Sequence, residues 1–166
     1  MKIKQSRLKS SLISLLILVL LLGFYQLWPY LVFEKIQTDS VQQIFLYNHQ
    51  IPLQDSWNTL IEVKDCADRA FLLEQAGQIQ LVKRAHDRDI PFGFFPRIHL
   101  QSKTWHQTIT FFSEPEGPMI MVYTEKYNSS GQRIHASLNY GKLPLKSTET
   151  LIDFIQAYPL DNLVTP

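Results

Sequence analysis

The sequence predicts an α+β fold: a single N-terminal transmembrane helix, then a small domain with a mainly antiparallel sheet of four to five strands, packed by helices on one face. Three observations support this prediction. Residues 10–33 carry no charged side chain. Residues 97–140 contain four segments with the length and composition of strands, separated by short turns. Segments with helical spacing of apolar residues lie before and after these strands.

Composition restricts the function classes. The chain has 166 residues, of which 45% are hydrophobic and 19% are charged, which excludes a disordered chain and favours one ordinary domain. A formal net charge of +1 argues against a nucleic-acid partner. The single cysteine, Cys66, excludes an internal disulfide framework and a zinc site built on several cysteines.

The uncharged segment 10–33 is the predicted membrane anchor. As a helix it would span about 36 Å at ~1.5 Å per residue, enough to cross a hydrocarbon core of ~30 Å. The stub before it, residues 1–9, is basic, and basic flanks stay in the cytoplasm. We therefore expect a cytoplasmic N-terminus, a periplasmic C-terminal domain and a single-pass protein of the inner membrane, with the lipid bilayer as a partner of residues 10–33. The cations of the stub are Lys2, Lys4, Arg7 and Lys9.

A cleaved signal peptide is the competing interpretation of this segment. Cleavage requires small residues at the third and first positions before the cut. Residues 23–28 offer only one small residue, Gly23. The sequence therefore favours a retained signal-anchor over a cleaved leader.

Residues 34–52 are predicted to continue as a helical juxtamembrane stalk that Pro52 ends, and residues 53–166 to form the extracytoplasmic α+β domain. In that domain, Asp55 or Ser56 is the expected N-cap of a helix running to about Ala76. A short strand at 79–84 should follow. A hairpin around Ala76-Gly77 is the alternative for this segment.

The rest of the chain reads as a meander of four strands and a closing helix. The connections have turn chemistry or hairpin length. Ser147 is the expected N-cap of the helix, and Pro159 ends it. The predicted strands are 97–101, 104–113, 119–127 and 132–140.

Turn lengths suggest a register for this meander. A two-residue turn at 102–103 would place His99 opposite His106, and the next two turns would add Lys126 and Arg133 to the same row. A second row would contain Arg97, Thr108 and His135. This face is therefore expected to be partly cationic. The opposite, apolar face is expected to be the core and to contain Ile98, Leu100, Trp105, Ile109, Phe111, Met119, Met121, Tyr123, Ile134, Ala136, Leu138 and Tyr140, with Gln107 and Glu125 as its polar members.

The sequence contains no motif that establishes an enzyme. His99 and His106 are candidate metal ligands, but a third ligand is missing from their face. Serine elbows, phosphate-binding glycine loops and paired cysteines are absent from the sequence. Cys66 lies at an amphipathic position that suits a small core residue. No cofactor is predicted.

The leading hypothesis is a non-enzymatic protein-binding domain, such as an envelope-assembly subunit or an inhibitor or immunity-type protein. Alternatives are a His-based metal protein or enzyme, and a sensor that binds a small anion. The apolar loop before the meander either plugs the domain's own core or, if exposed, forms a contact surface, because exposed apolar patches are uncommon on monomers. The expected partner-binding residues are Arg97, His99, His106, Thr108, Lys126, Arg133 and His135 on the sheet, with Phe92, Phe94 and Phe95 in the loop before it.

Overall fold

A computed structural model describes residues 2–27, 35–48, 60–85, 95–114 and 117–164 of the chain. The chain divides into two compact units, residues 1–31 and residues 32–166. Helix α1, Lys2–Leu27, belongs to the first unit, and its side chains are described from 13 to 25. The second unit contains the sheet and the two further helices of the described residues, α2 (Cys66–Gly77) and α3 (Leu145–Ala157).

The second unit is built on one antiparallel sheet of eight strands in the described residues. Strands β4 to β7 form a meander in chain order. The N-terminal strands β1 and β2 extend this meander beyond β4, while β3 pairs with β7 at its other side, so the order is β3-β7-β6-β5-β4-β1-β2-β8. The strands are β1 Gln43–Tyr47, β2 Leu60–Glu62, β3 Gln80–Arg84, β4 Arg97–Gln101, β5 Trp105–Glu114, β6 Gly117–Tyr127, β7 Arg133–Lys142 and β8 Leu163–Val164.

Both helices of the second unit begin and pack for identifiable reasons. Asp65 caps α2, because its Oδ1 accepts hydrogen bonds from the backbone N–H groups of Ala67 (2.8 Å) and Asp68 (3.0 Å). The two helices contact each other through Phe71 and Phe154, whose ring centroids lie 5.0 Å apart. Their buried side chains join one apolar core with one face of the sheet.

That core stabilises the domain and also contains satisfied polar groups. Ile109 and Val122 are completely buried at its centre. Gln107, which is 2% exposed, accepts a hydrogen bond from the Gln37 N–H and donates one to Thr124 Oγ1. Fully burying a large apolar side chain stabilises a fold by ~1.5–3 kcal/mol, so this face supplies much of the driving force for folding.

The predicted transmembrane anchor at 10–33 is wrong for the residues that the structure describes. Among them no helix is long and apolar enough to cross a membrane. Three further predictions depend on this anchor: the lipid bilayer as a partner, the signal-anchor and the single-pass placement in the inner membrane. They are therefore wrong as well.

Several predicted elements also need correction. The sheet has eight strands in the described residues, not four to five, although the α+β class agrees. Residues 43–47, expected in a helical stalk, form a strand between β4 and β2, because β4 provides an antiparallel partner. The helix expected from Asp55 or Ser56 starts at Cys66, and 51–59 lie outside the described residues. Cys66 is exposed and not a core residue.

Other predictions are confirmed. Strand β4 has the predicted bounds of 97–101, and β3 matches the expected strand at 79–84 within one residue. Strands β5, β6 and β7 overlap the predicted meander strands. The last helix is present but begins at Leu145, and its N-cap position is Pro144, three residues before the predicted cap Ser147.

Candidate functional site

The register of β5 separates its side chains onto two faces of the sheet. Trp105, Ile109 and Phe111 point into the helix-covered core and are at most 6% exposed. The alternate residues, beginning with His106 and Thr108, point to the opposite face, because successive side chains of a strand alternate. We call this opposite side the second face, and the candidate site lies on it.

Cross-strand pairing arranges the second face in rows. One row, which we call the central row, passes through paired residues of five neighbouring strands. A row beside it contains Tyr47, Arg97, Thr110 and Met121. Directly opposed side chains have Cβ atoms ~4.5–5.5 Å apart, so each row is a line of contacting groups. The central row consists of Phe45, His99, Thr108, Tyr123 and Leu138.

Two neighbouring cavities open over these rows. The first cavity has a volume of about 470 Å³ and reaches from the central row to the apolar side chains of Phe45, Leu60 and Val164. The second cavity, about 450 Å³, reaches from the same row towards Arg97 and Met121. Both volumes lie within the ~300–1,000 Å³ range of small-molecule sites. The cavities share a wall made of His99, Thr108 and Tyr123.

His99 in the shared wall is a neutral imidazole. Burial first, and then the nearby Arg97 and His106, lower the pKa of His99 to about 4. Its Nδ1 lies 3.1 Å from Thr108 Oγ1, within hydrogen-bond distance. At neutral pH His99 therefore offers the cavities a polar ring without a charge.

Glu125 anchors a cluster of polar side chains at the edge of the first cavity. Its Oε1 accepts hydrogen bonds from Arg133 Nη1 (2.9 Å) and the Tyr123 hydroxyl (3.0 Å), and its Oε2 accepts one from the Tyr127 hydroxyl (2.8 Å). The hydrogen bond from Arg133 is the largest cause that lowers the pKa of Glu125, and both tyrosines act in the same direction. The carboxylate is therefore held ionised and is already occupied by donors.

Arg97 lines the second cavity and, unlike Glu125, has a buried polar atom without a hydrogen-bond partner in the described residues. Its guanidinium lies 5.7 Å from the centroid of the Tyr47 ring, a cation–π distance. Its Nε is buried and has no hydrogen-bond partner among the described residues. Burial lowers the pKa of Arg97, and its charge persists at neutral pH because guanidinium pKa values are very high. The cavity thus contains a cation that the described side chains do not neutralise.

The structure divides the sheet residues that the sequence predicted as one binding surface. Arg97, His99, His106 and Thr108 lie on the second face as expected. Lys126 and His135 oppose each other on the same side as Trp105, towards the core. The β5–β6 hairpin pairs Glu114 with Gly117, one step away from the predicted register, which exchanges the faces of β6.

Three further placements differ from the predictions. His99 pairs with Thr108 and not with His106, which pairs with Gln101. Arg133 reaches the second face because the register of β6 and β7 shifts by one residue between Lys126 and Tyr127. Within the loop predicted as a contact surface, Phe92 and Phe94 lie outside the described residues. Phe95 packs on Phe112, with ring centroids 4.6 Å apart.

Sequence reasoning missed the tyrosines and the carboxylate of the site. Tyr123, Glu125 and Tyr127 follow one another at every second position of β6, so they share one face of a strand. That spacing was a usable signal, because two tyrosines beside a carboxylate can hydrogen-bond to it. The shifted register assigned Tyr123 and Glu125 to the core instead. Met121 and Leu138 were misplaced with them and line the second cavity.

Neither a search for metal-binding groups nor comparison with known proteins assigns a function to this site. The described residues contain no group of three or more His, Cys, Asp or Glu side chains that could hold a metal ion. No family model matches the chain, and neither a curated protein nor a solved structure matches it.

Proposed function

We propose that the second unit is a non-enzymatic binding domain and that the two neighbouring cavities on its second face hold a small, largely apolar molecule. The observation that carries this proposal is the shared wall of His99, Thr108 and Tyr123, which joins two spaces of about 470 and 450 Å³. Pockets of this kind combine mostly apolar lining with a few polar groups that orient the ligand.

The chemistry of the polar groups favours binding over catalysis. A general base works best when its pKa lies near the working pH. His99, with a pKa of about 4, is a weak base at neutral pH. Glu125 has a lowered pKa and already accepts three hydrogen bonds. These groups suit the recognition of a ligand better than proton transfer.

The hypothesis of a protein partner stays a prediction. It depended on one continuous cationic row, and Lys126 and His135 now lie on the opposite side of the sheet from His99. The cavities are instead small enough for a single compact molecule. We therefore place a small ligand first.

A neutral apolar probe tests this proposal with the full chain. N-phenyl-1-naphthylamine carries no charge, so its binding reports the cavities and not a cation. We expect its titration to shift the backbone amide resonances of β4, β5 and β6. Thr108→Trp places a large ring in the shared wall and should abolish these shifts.

Glu149→Trp is the matched control, because Glu149 is exposed on α3, away from the second face. This variant should bind the probe as the wild type does. Shifts confined to α1, or equal shifts in the Thr108→Trp protein, would show that the cavities do not bind the probe.

A further inference from the structure

We propose that the second cavity selects an amphipathic monocarboxylate, with its carboxylate on Arg97 and its apolar part against Phe112, Met121 and Leu138. This inference rests on the proposed function and names the chemical class of the ligand. Three features of the second cavity support it: an unneutralised guanidinium, the number of charges at the site and an apolar wall.

The Nε of Arg97 is buried and has no hydrogen-bond acceptor in the described part of the chain. Buried polar groups in folded proteins are nearly always hydrogen-bonded, so an unpartnered Nε is unusual. Its neighbour across the strand pair is Thr110, which has no charge, and its other neighbour is the Tyr47 ring. A ligand carboxylate would supply the negative charge that this part of the sheet lacks.

The number of charges favours a carboxylate over a phosphate. Arg97 is the one formal cation among the described residues that line the second cavity. His99 beside it is neutral at neutral pH, since its pKa is about 4. A single guanidinium matches one carboxylate in charge and in its planar, two-pronged geometry. A phosphate dianion would bring a second negative charge into a cavity without a second cation.

The remaining wall of the cavity is apolar. Phe112 and Met121 are each 2% exposed and form a small apolar cluster with Ala85, onto which Phe95, Leu138 and other apolar side chains pack. This cluster lies on the second face, separate from the helix-covered core. An apolar chain or ring attached to the carboxylate would contact this wall, while its charged end contacts Arg97.

The test compares two ligands that differ in charge. Decanoate and decanamide have the same chain, and only decanoate is charged at neutral pH. In titrations of the full chain followed on the amide resonances of β4, β5 and β6, we expect decanoate to bind at least about tenfold more tightly, because a guanidinium–carboxylate contact is charge-assisted. Decyl phosphate should bind more weakly than decanoate.

Two variants test whether the preference for decanoate over decanamide depends on Arg97. Arg97→Gln should reduce the preference for decanoate to within about twofold, because the remaining contacts are uncharged. Arg84→Gln removes an exposed arginine from β3 and should keep the wild-type preference.

Thr110→Glu provides a second route that does not depend on the folding of the Arg97→Gln protein. It places a carboxylate of the protein directly opposite Arg97. This carboxylate should weaken the binding of decanoate more than the binding of decanamide. Thr110→Gln introduces a side chain of nearly the same size without a charge, so it should weaken the binding of both ligands equally.

The outcomes separate this inference from the proposed function. Equal binding of decanoate and decanamide to the wild type would overturn the carboxylate inference and leave a neutral-ligand site. Tighter binding of decyl phosphate would overturn it as well, in favour of a more highly charged ligand. If neither decanoate nor decanamide shifts β4 to β6 while N-phenyl-1-naphthylamine does, the inference alone fails. If all the probes leave β4 to β6 unchanged, the proposed function fails too.

Discussion

The two faces of the sheet differ in what covers them and in what they can do. Helices α2 and α3 pack into the core on one face, where Ile109 and Phe111 are fully buried. The second face carries polar side chains over two cavities, with His99 and Thr108 in their shared wall. Both faces use alternate residues of the same strands, so residues that stabilise the fold and residues that form the site are one position apart.

This comparison predicts how substitutions divide between the faces. Changes at the fully buried positions of the core face, such as Ile109, should act mainly on stability, because these side chains lose their apolar contacts. Changes on the second face should act mainly on ligand binding or on the pH dependence of stability. The four predictions below test this division, from the largest expected effect to the smallest.

The largest effect is expected in the core. Ile109→Ala should lower the free energy of unfolding by about 2–5 kcal/mol, because it removes buried methylenes and leaves a cavity. Thr110→Ala, the next residue on the second face, should cost less than about 1 kcal/mol. Denaturation by guanidinium chloride measures both. Equal losses would contradict the division between the faces.

His99 should make the second face sensitive to acid. Its folded pKa of about 4 lies below its ordinary value of 6.5, so between these values the unfolded chain binds more protons than the folded protein does. The contribution of neutral His99 is therefore complete above pH 6.5. It is lost as the pH falls towards 4, by up to about 3 kcal/mol.

The His99→Gln variant isolates this contribution. The difference in unfolding free energy between the wild type and this variant should rise with pH from 4 to 6.5 and be constant above. A difference that does not change over this interval would mean that His99 titrates normally in the folded protein.

Gly141 tests the packing between β7 and its neighbours in the core. A Cβ at this position would lie 2.8 Å from Ile79 Cγ2 and 3.1 Å from Ile120 Cγ2. Gly141→Ala should therefore lower the unfolding free energy by about 1–3 kcal/mol through overpacking. Thermal or chemical denaturation measures the change.

Gly77 is the control for Gly141, because a Cβ added at Gly77 would not be crowded. It ends α2, and its added Cβ would meet Thr38 Cγ2 at 3.6 Å, an ordinary contact. Gly77→Ala should leave the stability unchanged or raise it slightly, because alanine favours helix. A loss equal to that of Gly141→Ala would argue against close packing at Gly141 as the cause.

The smallest effect is expected for the carboxylate cluster of the second face. Glu125→Gln should cost about 1 kcal/mol or less near pH 7, because solvent screens partly exposed ion pairs. The folded pKa of Glu125 is lowered, chiefly by Arg133. Its contribution is therefore present above the ordinary glutamate pKa and is lost as the pH falls through the folded value.

Denaturation of the wild type and Glu125→Gln at a series of pH values checks this sign. Glu62→Gln is the control, since Glu62 pairs with Lys64 at 3.6 Å. Glu62→Gln should lower the free energy of unfolding by less than Glu125→Gln does. A Glu125 effect that grows in acid would contradict the assignment.

The sequence predicted β4 and β5 well because their two faces differ clearly in polarity. Trp105, Ile109 and Phe111 alternate with the polar residues His106, Thr108 and Thr110, so the sequence pattern alone assigns their faces. Strand β6 gave no such contrast, since Met119 and Met121 are as apolar as the alternating Ile120 and Val122. Periodicity alone therefore could not reveal the shift of its register, and Tyr123 and Glu125 were placed on the wrong face.

The other failures have long-range causes. Gln43–Tyr47 becomes a strand because it pairs with β4, and Phe45 lies opposite His99, 54 residues further along the chain. Local periodicity carries no information about such a partner. Arg97, His99, His106 and Thr108 are predicted on the correct face because they lie in β4 and β5, whereas the predicted faces of Lys126 and His135 are wrong because β6 has a shifted register.

The position of β1 in the sheet has a consequence for how the domain folds. Strands β4 to β7 follow one another through short connections, so their pairing requires little loop closure. Strand β1 must instead find β4 across 54 residues before β2 and β8 can extend the sheet on that side. Closing long loops slows folding. We expect the meander to form the transition-state nucleus, with β1, and therefore the Phe45 wall of the first cavity, joining it late.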